Sequence, residues 1–269
     1  MSLPEVSFQA IFEGVAGNFV YFLLGLGVAG IWRLLSTRFV SRAVLGWVFR
    51  PPFTVVIGSP FGIEPGTTTL SRVAGLPIFG FGPLNALHSI WNLLRSAFKK
   101  KRAAVPLVTS RTFDRKAFSE SLIAIGYPLG NPVTATLLDA LKELPIKFDD
   151  HKVLDARTGA LICEAAYADG VVTNDFGILV IAPNPFNAEA RILILAGTET
   201  YGVKAAADLL SYEHIRTLYG APGWVPKWVV VLAAIFMSRS PKNRKVVIVS
   251  CQVNGLFVSK PSVVAITRF

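Results

Sequence analysis

Residues 191–210 read RILILAGTETYGVKAAADLL, and the prediction of the fold starts from this stretch. The apolar run 192–196 has the length and composition of a buried strand. The apolar positions of residues 203–210 are spaced so that they share one face of a helix. The stretch therefore predicts a strand, a glycine-bounded loop and a helix in direct succession.

The loop between this strand and this helix is a candidate site for an anion. Backbone N–H groups and the helix dipole favour negative charge at a helix N-terminus, and threonine hydroxyls can bind a phosphate or cap the helix. The candidate ligand-binding residues of the loop are Gly197, Thr198, Thr200 and Gly202. The alternative is that the glycines only form a tight turn.

A similar unit lies earlier in the chain. Residues 121–125 predict a buried strand, and residues 133–144 predict a helix with Asn131 as its N-cap and Pro132 as its first residue. The loop between them reads GYPLGN and contains two glycines that would let a ligand approach the backbone. The candidate ligand-binding residues of this unit are Gly126, Gly130, Asn131 and Thr134.

A third candidate loop follows the first predicted strand, residues 53–57, and begins with Gly58 and Ser59. In an open α/β sheet, ligands bind beyond the carboxyl ends of the strands, at the point where the strand order reverses. We therefore expect the three loops to converge on one crevice.

The remaining strands complete the expected sheet. The apolar run 176–182 precedes a rigid turn, which predicts that this run pairs with residues 192–196 as a hairpin. Residues 228–237 and 245–253 predict a C-terminal β-hairpin. Residues 53–269 are thus expected to form one α/β domain with a mostly parallel sheet and a C-terminal β-hairpin.

The N-terminal region predicts one transmembrane helix. Residues 14–35 read GVAGNFVYFLLGLGVAGIWRLL, and no formal charge lies between Glu13 and Arg33, which is about the length that spans a bilayer core. A signal peptide is disfavoured because no basic residue precedes the run and no cleavage site follows it. A buried core helix is disfavoured by the length of the run. A second crossing by residues 218–237 is a less favoured alternative.

The charges on either side of the run predict its orientation. No Lys or Arg precedes it, and four arginines lie at or after its end: Arg33, Arg38, Arg42 and Arg50. The positive-inside tendency places the N-terminus outside and residues 53–269 in the cytoplasm of a single-pass cell-membrane protein. Residues 37–49, within the N-terminal region 1–52, are basic and amphipathic and are expected to lie on the inner leaflet.

Composition limits the classes of function. Hydrophobic residues make up 52% of the 269 residues, charged residues 16%, and the net charge is +10, which favours a membrane segment and acidic or phosphate-bearing partners. The basic cluster 99–102 follows a predicted helix, whose dipole explains it, so no nucleic acid polymer is expected. The two cysteines have no metal-ligand spacing, and neither a metal nor a cofactor is expected.

Catalytic motifs are absent from the sequence, which contains no nucleophile elbow, no phosphate-binding lysine motif and no clustered histidines. Glu199 is the one candidate catalytic residue because it lies within the glycine-bounded loop. Its alternative role is that of an acid that interacts with the helix dipole. The sequence leaves enzymatic activity uncertain and favours its absence.

Three segments together carry a resemblance to known proteins: IGYPLGNPVTATLL (125–138), DFGILVIAPNPF (175–186) and ILILAGTETYGVKAAADLL (192–210). They resemble a Rossmann-like domain of bacterial and archaeal proteins, including methanogen S-layer proteins, and this resemblance implies a Rossmann-like fold. A membrane helix on such a domain is similar in architecture to prokaryotic membrane effectors of antiviral defence. Those effectors sense nucleotide messengers through CARF-, SLOG- or SAVED-type domains.

The expected function is that of a membrane-anchored sensor or effector. Its soluble domain would bind a small anionic, nucleotide-like ligand and couple binding to homo-oligomerisation or to rearrangement of the membrane helix. The first alternative is a structural envelope or scaffold protein that assembles without a ligand. The second alternative is a nucleotide-cleaving hydrolase that uses Glu199.

Overall fold

The computed structural model describes residues 53–58, 81–97, 105–211, 244–254 and 257–269. The predicted membrane span at 14–35, the basic segment at 37–49 and the strand expected at 228–237 lie outside these residues. None of the helices in the described ranges is both long and apolar enough to cross a membrane.

The described residues build one large sheet of nine strands. The strands are β1 (Phe53–Ile57), β2 (Leu107–Thr109), β3 (Ser121–Ile125), β7 (Ala166–Ala168), β8 (Val171–Asn184), β9 (Asn187–Gly197), β10 (Lys245–Asn254), β11 (Phe257–Val258) and β12 (Ser262–Arg268). Their order across the sheet is β2-β1-β3-β9-β8-β10, with β11 and β12 both paired with β10, and with β7 paired with β8.

A small antiparallel sheet and three α-helices accompany the large sheet in the described ranges. The small sheet consists of β4 (Ile146–Asp149), β5 (Lys152–Asp155) and β6 (Leu161–Glu164). The helices are α1 (Phe81–Ala97), α2 (Pro132–Ala140) and α3 (Thr200–Asp208), and a short 3-10 helix covers Arg115–Ser119.

The predicted Rossmann-like, mostly parallel α/β sheet is wrong. Parallel pairing is limited to β1 with β2, β1 with β3, and β3 with β9. The other five strand pairs of the large sheet are antiparallel. The reason is chain connection, because parallel neighbours need a crossover of a dozen or more residues. Two residues join β8 to β9, and the pair Asp169-Gly170 joins β7 to β8, so these strands can only form hairpins.

Individual elements agree better with the sequence pattern than the sheet topology does. Strands β1 and β3 have the predicted bounds, and the predicted hairpin between residues 176–182 and 192–196 is confirmed in β8 and β9. The C-terminal hairpin differs from the prediction, because β10 forms it with β11 and β12. Strand β12, Ser262–Arg268, was not expected from the sequence.

Both faces of the large sheet are covered by other elements. Helices α1 and α3 pack on one face, where Leu193 and Leu195 of β9 are buried. Helix α2 and the small sheet cover the other face, where Ile192 and Ile194 are buried. Because neither face of β9 meets water, its sequence is a continuous apolar run rather than an alternating one. Such a run indicates burial, but it does not distinguish a parallel from an antiparallel neighbour.

Candidate functional site

The three predicted loops meet at one end of the large sheet, as expected. Strand β1 pairs in parallel with β3, and β3 pairs in parallel with β9, so their carboxyl ends lie side by side. The Gly58 N–H donates to the carbonyl oxygen of Ile125 at 2.8 Å, and the Gly126 N–H donates to that of Leu195 at 2.9 Å. The strand order reverses here, since the chain leaves β1 for β2 on one side and returns to β3 on the other.

The loop after β3 is a tight structure held by its own backbone. Gly126 has a φ of +127°, a conformation that side chains rarely adopt, so glycine is required at this position. The Gly130 N–H donates to the carbonyl oxygen of Tyr127 at 3.0 Å and closes the turn. Ser59, the remaining candidate of the β1 loop, lies outside the described residues.

Asn131 caps helix α2 as predicted, and this cap fills the helix N-terminus. Its side-chain oxygen accepts hydrogen bonds from the N–H groups of Val133 at 3.1 Å and Thr134 at 3.3 Å. Pro132, the first helical residue, has no N–H to offer a ligand. The Thr134 hydroxyl is buried without a hydrogen-bond partner among the described residues. Because Asn131 accepts from Val133 and Thr134, and because Pro132 has no N–H, the backbone donors of this helix end are already occupied.

The N-terminus of α3 holds an anion that belongs to the protein itself, the fully buried carboxylate of Asp175. It accepts hydrogen bonds from the Glu199 N–H at 2.9 Å, from the Thr198 hydroxyl at 2.7 Å and from the Gly202 N–H. The Phe176 N–H adds a bond of 2.7 Å. Burial raises the pKa of Asp175, and the hydrogen bonds, led by the one from Thr198, act in the opposite direction.

The other candidate residues of this loop also have partners inside the chain. The Thr200 hydroxyl accepts the Gly82 N–H at 2.9 Å, which caps the first turn of α1. An added Cβ on Gly202 would collide with the carbonyl group of Phe176, so this glycine permits the close packing of α3 against β8. Gly197 ends β9 opposite Gly177 of β8. Ligand binding by these residues stays a prediction, and the geometry favours the alternative of a structural turn.

A second group of side chains lies beside these loops, and we call it the Glu199 cluster: Tyr127, Asp150, His151, Tyr167 and Glu199. Its members come from the β3–α2 loop, the β4–β5 turn, β7 and the β9–α3 loop. His151 Nδ1 lies 2.7 Å from Glu199 Oε1, and the Tyr167 hydroxyl donates to the same oxygen. The Tyr127 hydroxyl donates to the Asp150 carbonyl oxygen, and the His151 ring stacks on the Tyr127 ring at 9° between planes.

Carboxylates predominate among the charged groups of the Glu199 cluster, where Asp150 and Glu199 lie on either side of His151. Burial and the charges of Asp150, Glu199 and Asp149 raise the pKa of Tyr127 to about 12. The pKa of Tyr167 is raised by burial, by its hydrogen bond to Glu199 and by the charge of that carboxylate. Because negative charge disfavours a further anion and stabilises donors, the cluster is suited to N–H groups of a ligand rather than to a phosphate.

Sequence reasoning found only one member of the Glu199 cluster, Glu199 itself. Tyr127 is adjacent to a candidate glycine, and the Asp169-Gly170 pair is a strong hairpin signal that would have placed Tyr167 in a strand beside β8. His151 lies 48 residues before Glu199 in the chain, and no local pattern in a single sequence predicts their contact. Asp150, in the same turn, has a φ of 49°, which is uncommon for a residue with a side chain.

The described residues contain no cluster of side chains with the arrangement of a metal site. Cys163 and Cys251 are free, buried thiols, and burial raises the pKa of each to about 12. Neither cysteine is therefore poised as a nucleophile. Comparisons with known protein families, with curated proteins and with solved structures found no match for this chain.

Replacing Asp175 by Asn tests whether this carboxylate is a structural element. An amide has one acceptor oxygen, so donors at the start of α3 lose their partner, and we expect a loss of about 1–3 kcal/mol in the free energy of unfolding. The measurement is chemical denaturation of the full-length protein. The control is Asp169→Asn in the exposed β7–β8 turn, where Asn is equally suited. Equal stability of both variants would contradict the role of Asp175.

Replacing Glu199 by Gln tests the negative potential of the cluster. We expect the pKa of Tyr127 to fall below its value of about 12, because one of the charges that disfavour tyrosinate is removed. The pKa is measured by NMR of tyrosine ring carbons during an alkaline titration. Glu164→Gln, at an exposed residue of β6, should leave the pKa of Tyr127 unchanged. An unchanged pKa in Glu199→Gln would show that Glu199 does not set this potential.

Proposed function

We propose that this chain is a membrane-anchored sensor that binds a nucleotide-like ligand at the Glu199 cluster. The observation that carries the proposal is the convergence of polar and aromatic side chains from four separate segments at the carboxyl ends of β3 and β9. The cluster lies beside the parallel part of this mixed sheet, next to a reversal of strand order, and such crevices are common places for ligands. The predicted helix at 14–35 supplies the anchor, and the domain would lie in the cytoplasm.

The chemistry of the cluster fits the base of a nucleotide. The rings of Tyr127 and His151 offer aromatic surface on which a planar base can stack, and stacking of this kind contributes about 1–3 kcal/mol per base. Glu199 has one carboxylate oxygen held by His151 and Tyr167, and this fixes the direction of the other oxygen. An ionised carboxylate only accepts hydrogen bonds, so it selects a ligand edge that carries donors. Guanine presents two adjacent N–H donors on one edge and is therefore the base of choice for a test.

The position of Glu199 supports coupling of ligand binding to the helices α1 and α3. It is the residue before α3, and the neighbouring Thr200 caps α1, so the cluster is joined to both helices on the opposite face of the sheet. A change at Glu199 on ligand binding would therefore be transmitted to the α1–α3 contact. In the proposed function, that contact controls association of the chain with further copies.

The test is native mass spectrometry of the full-length protein in detergent, with guanosine and adenosine and their mono-, di- and cyclic phosphates. We expect a guanine ligand to bind and to change the number of subunits. Affinity should fall about tenfold or more in Glu199→Gln, which corresponds to the loss of one charge-assisted hydrogen bond. Glu164→Gln is the matched control and should bind as the wild type does. A fixed oligomer that binds no member of the panel would favour the structural alternative.

A second candidate function is hydrolysis of the bound nucleotide. The observation in its favour is the 2.7 Å contact between His151 and Glu199, which orients a carboxylate beside an imidazole. Glu199 would take a proton from water, the water oxygen would bond to the sugar C1′, and the bond from C1′ to the guanine nitrogen would break as His151 gives a proton to the leaving guanine.

The two candidate functions are separated by turnover. Hydrolysis predicts that free guanine is released from guanosine 5′-monophosphate, which chromatography detects. This release should be lost in Glu199→Gln and reduced in His151→Gln. The sensor alone predicts that the nucleotide is recovered intact after prolonged incubation with the wild type.

A further inference from the structure

An open groove lies along the C-terminal strands, and we call it the polar groove. It is formed where β8 begins, where β10 ends and where β11 is followed by β12. Its described lining residues are Thr173, Asn174, Ser250, Gln252, Val253, Asn254, Ser259, Lys260 and Ser262. With the exception of Val253, all of them carry hydrogen-bonding groups.

The lining of the polar groove carries a positive charge, whereas the charged groups of the Glu199 cluster are mainly carboxylates. Its described residues include Lys260 and no Asp or Glu, and within the described part of the chain Lys260 makes no ion pair. Some of its side chains are used internally, since Thr173 donates to the Ala166 carbonyl and Ser259 accepts the Gln252 N–H. The donors that remain for a ligand are the side chains of Asn174, Ser250, Gln252, Asn254, Lys260 and Ser262.

The polar groove is a close neighbour of the Glu199 cluster. Ala166 of β7 pairs with Asn174 of β8, and Asn174 pairs with Gln252 of β10. The backbones at Ala166 and Gln252 are therefore two strand spacings apart, about 10 Å. Tyr167 of the cluster follows Ala166 directly in the chain. This spacing is comparable with the distance from the base to the phosphate of a nucleotide.

Elsewhere at this end of the sheet, the described residues leave little room for an anion. Asp175 fills the N-terminus of α3, and Asn131 caps that of α2. The carboxylates of Asp150 and Glu199 at the cluster disfavour a further anion, and after burial their charges contribute to the raised pKa values of Tyr127 and Tyr167. The surface beside the cluster that combines a cationic side chain with free amide and hydroxyl donors is the polar groove.

We propose that the polar groove is the subsite for the phosphate of the ligand, with Lys260 and the side chains of Asn174 and Gln252 as its donors. The inference rests on the proposed function, because it assumes a ligand whose base lies at the Glu199 cluster. It assigns the two halves of the ligand to two surfaces of opposite charge: the donor-rich base to the carboxylates, and the phosphate to the ammonium group and the amides.

The test compares guanosine 5′-monophosphate, guanosine and inorganic pyrophosphate by isothermal titration of the full-length protein in detergent. Lys260→Met removes the charge and keeps the length of the side chain. We expect it to weaken guanosine 5′-monophosphate about three- to tenfold, the loss of one charge-assisted contact, and to leave guanosine unchanged. Binding of pyrophosphate should be lost, and the salt dependence of nucleotide binding should decrease.

The matched control is Lys116→Met, in the 3-10 helix that precedes β3 at the opposite end of the sheet. It removes the same charge from the chain and should bind all three probes as the wild type does. An equal loss in both variants would indicate a general effect of net charge and would overturn the subsite.

The outcomes separate the subsite from the function on which it rests. If guanosine and its monophosphate bind equally well and Lys260→Met changes neither, the groove is not the subsite, while the proposed function stands. If pyrophosphate binds through Lys260 but neither guanine compound binds, the groove is an anion site and the assignment of the base is wrong. If none of the three probes binds, the subsite and the proposed function both fail.

Discussion

The carboxylate of Asp175 is the interaction on which this end of the molecule depends. It lies within β8, four residues after Val171, and its four donors belong to β8, the β9–α3 loop and α3. A buried charge is tolerated only with such a set of hydrogen bonds. The same set fixes the backbone of Glu199 and the first turn of α3, and thereby fixes the place at which Tyr127, His151 and Tyr167 converge.

This constraint decides how the site can work. A helix N-terminus attracts a phosphate when its N–H groups are free, and here the protein has supplied its own anion. The N-termini of α2 and α3 therefore stabilise the fold. In the proposed function, the charge of the ligand is selected by side chains instead. The Glu199 cluster has excess carboxylate, and the polar groove has Lys260 with amides. Two adjacent surfaces of opposite sign suit a ligand that is itself divided into a donor-rich ring and an anion.

The parts of the fold that the sequence predicts correctly are those encoded locally. These signals act over a few residues. The apolar runs predict the bounds of β1 and β3, and the Asn131-Pro132 pair predicts the N-cap of α2. The predicted, mostly parallel topology is wrong because buried apolar runs are alike in parallel and antiparallel sheets. The Asp169-Gly170 pair is the local signal that favours an antiparallel hairpin. The Glu199 cluster depends on a contact across 48 residues, for which a single sequence holds no periodic pattern.

The position of Thr200 connects the site to the rest of the chain. Its hydroxyl caps α1 through Gly82, while the preceding residue, Glu199, binds His151 and Tyr167 on the other side of the same loop. In the proposed function, a ligand that donates hydrogen bonds to the other oxygen of Glu199 would act on the loop that ends at Thr200. Helix α1 follows β1, the first described strand after the predicted anchor. The loop between β9 and α3 is thus the physical path by which occupancy at the cluster can reach the helices, and a path made of two adjacent residues needs no larger rearrangement of the sheet.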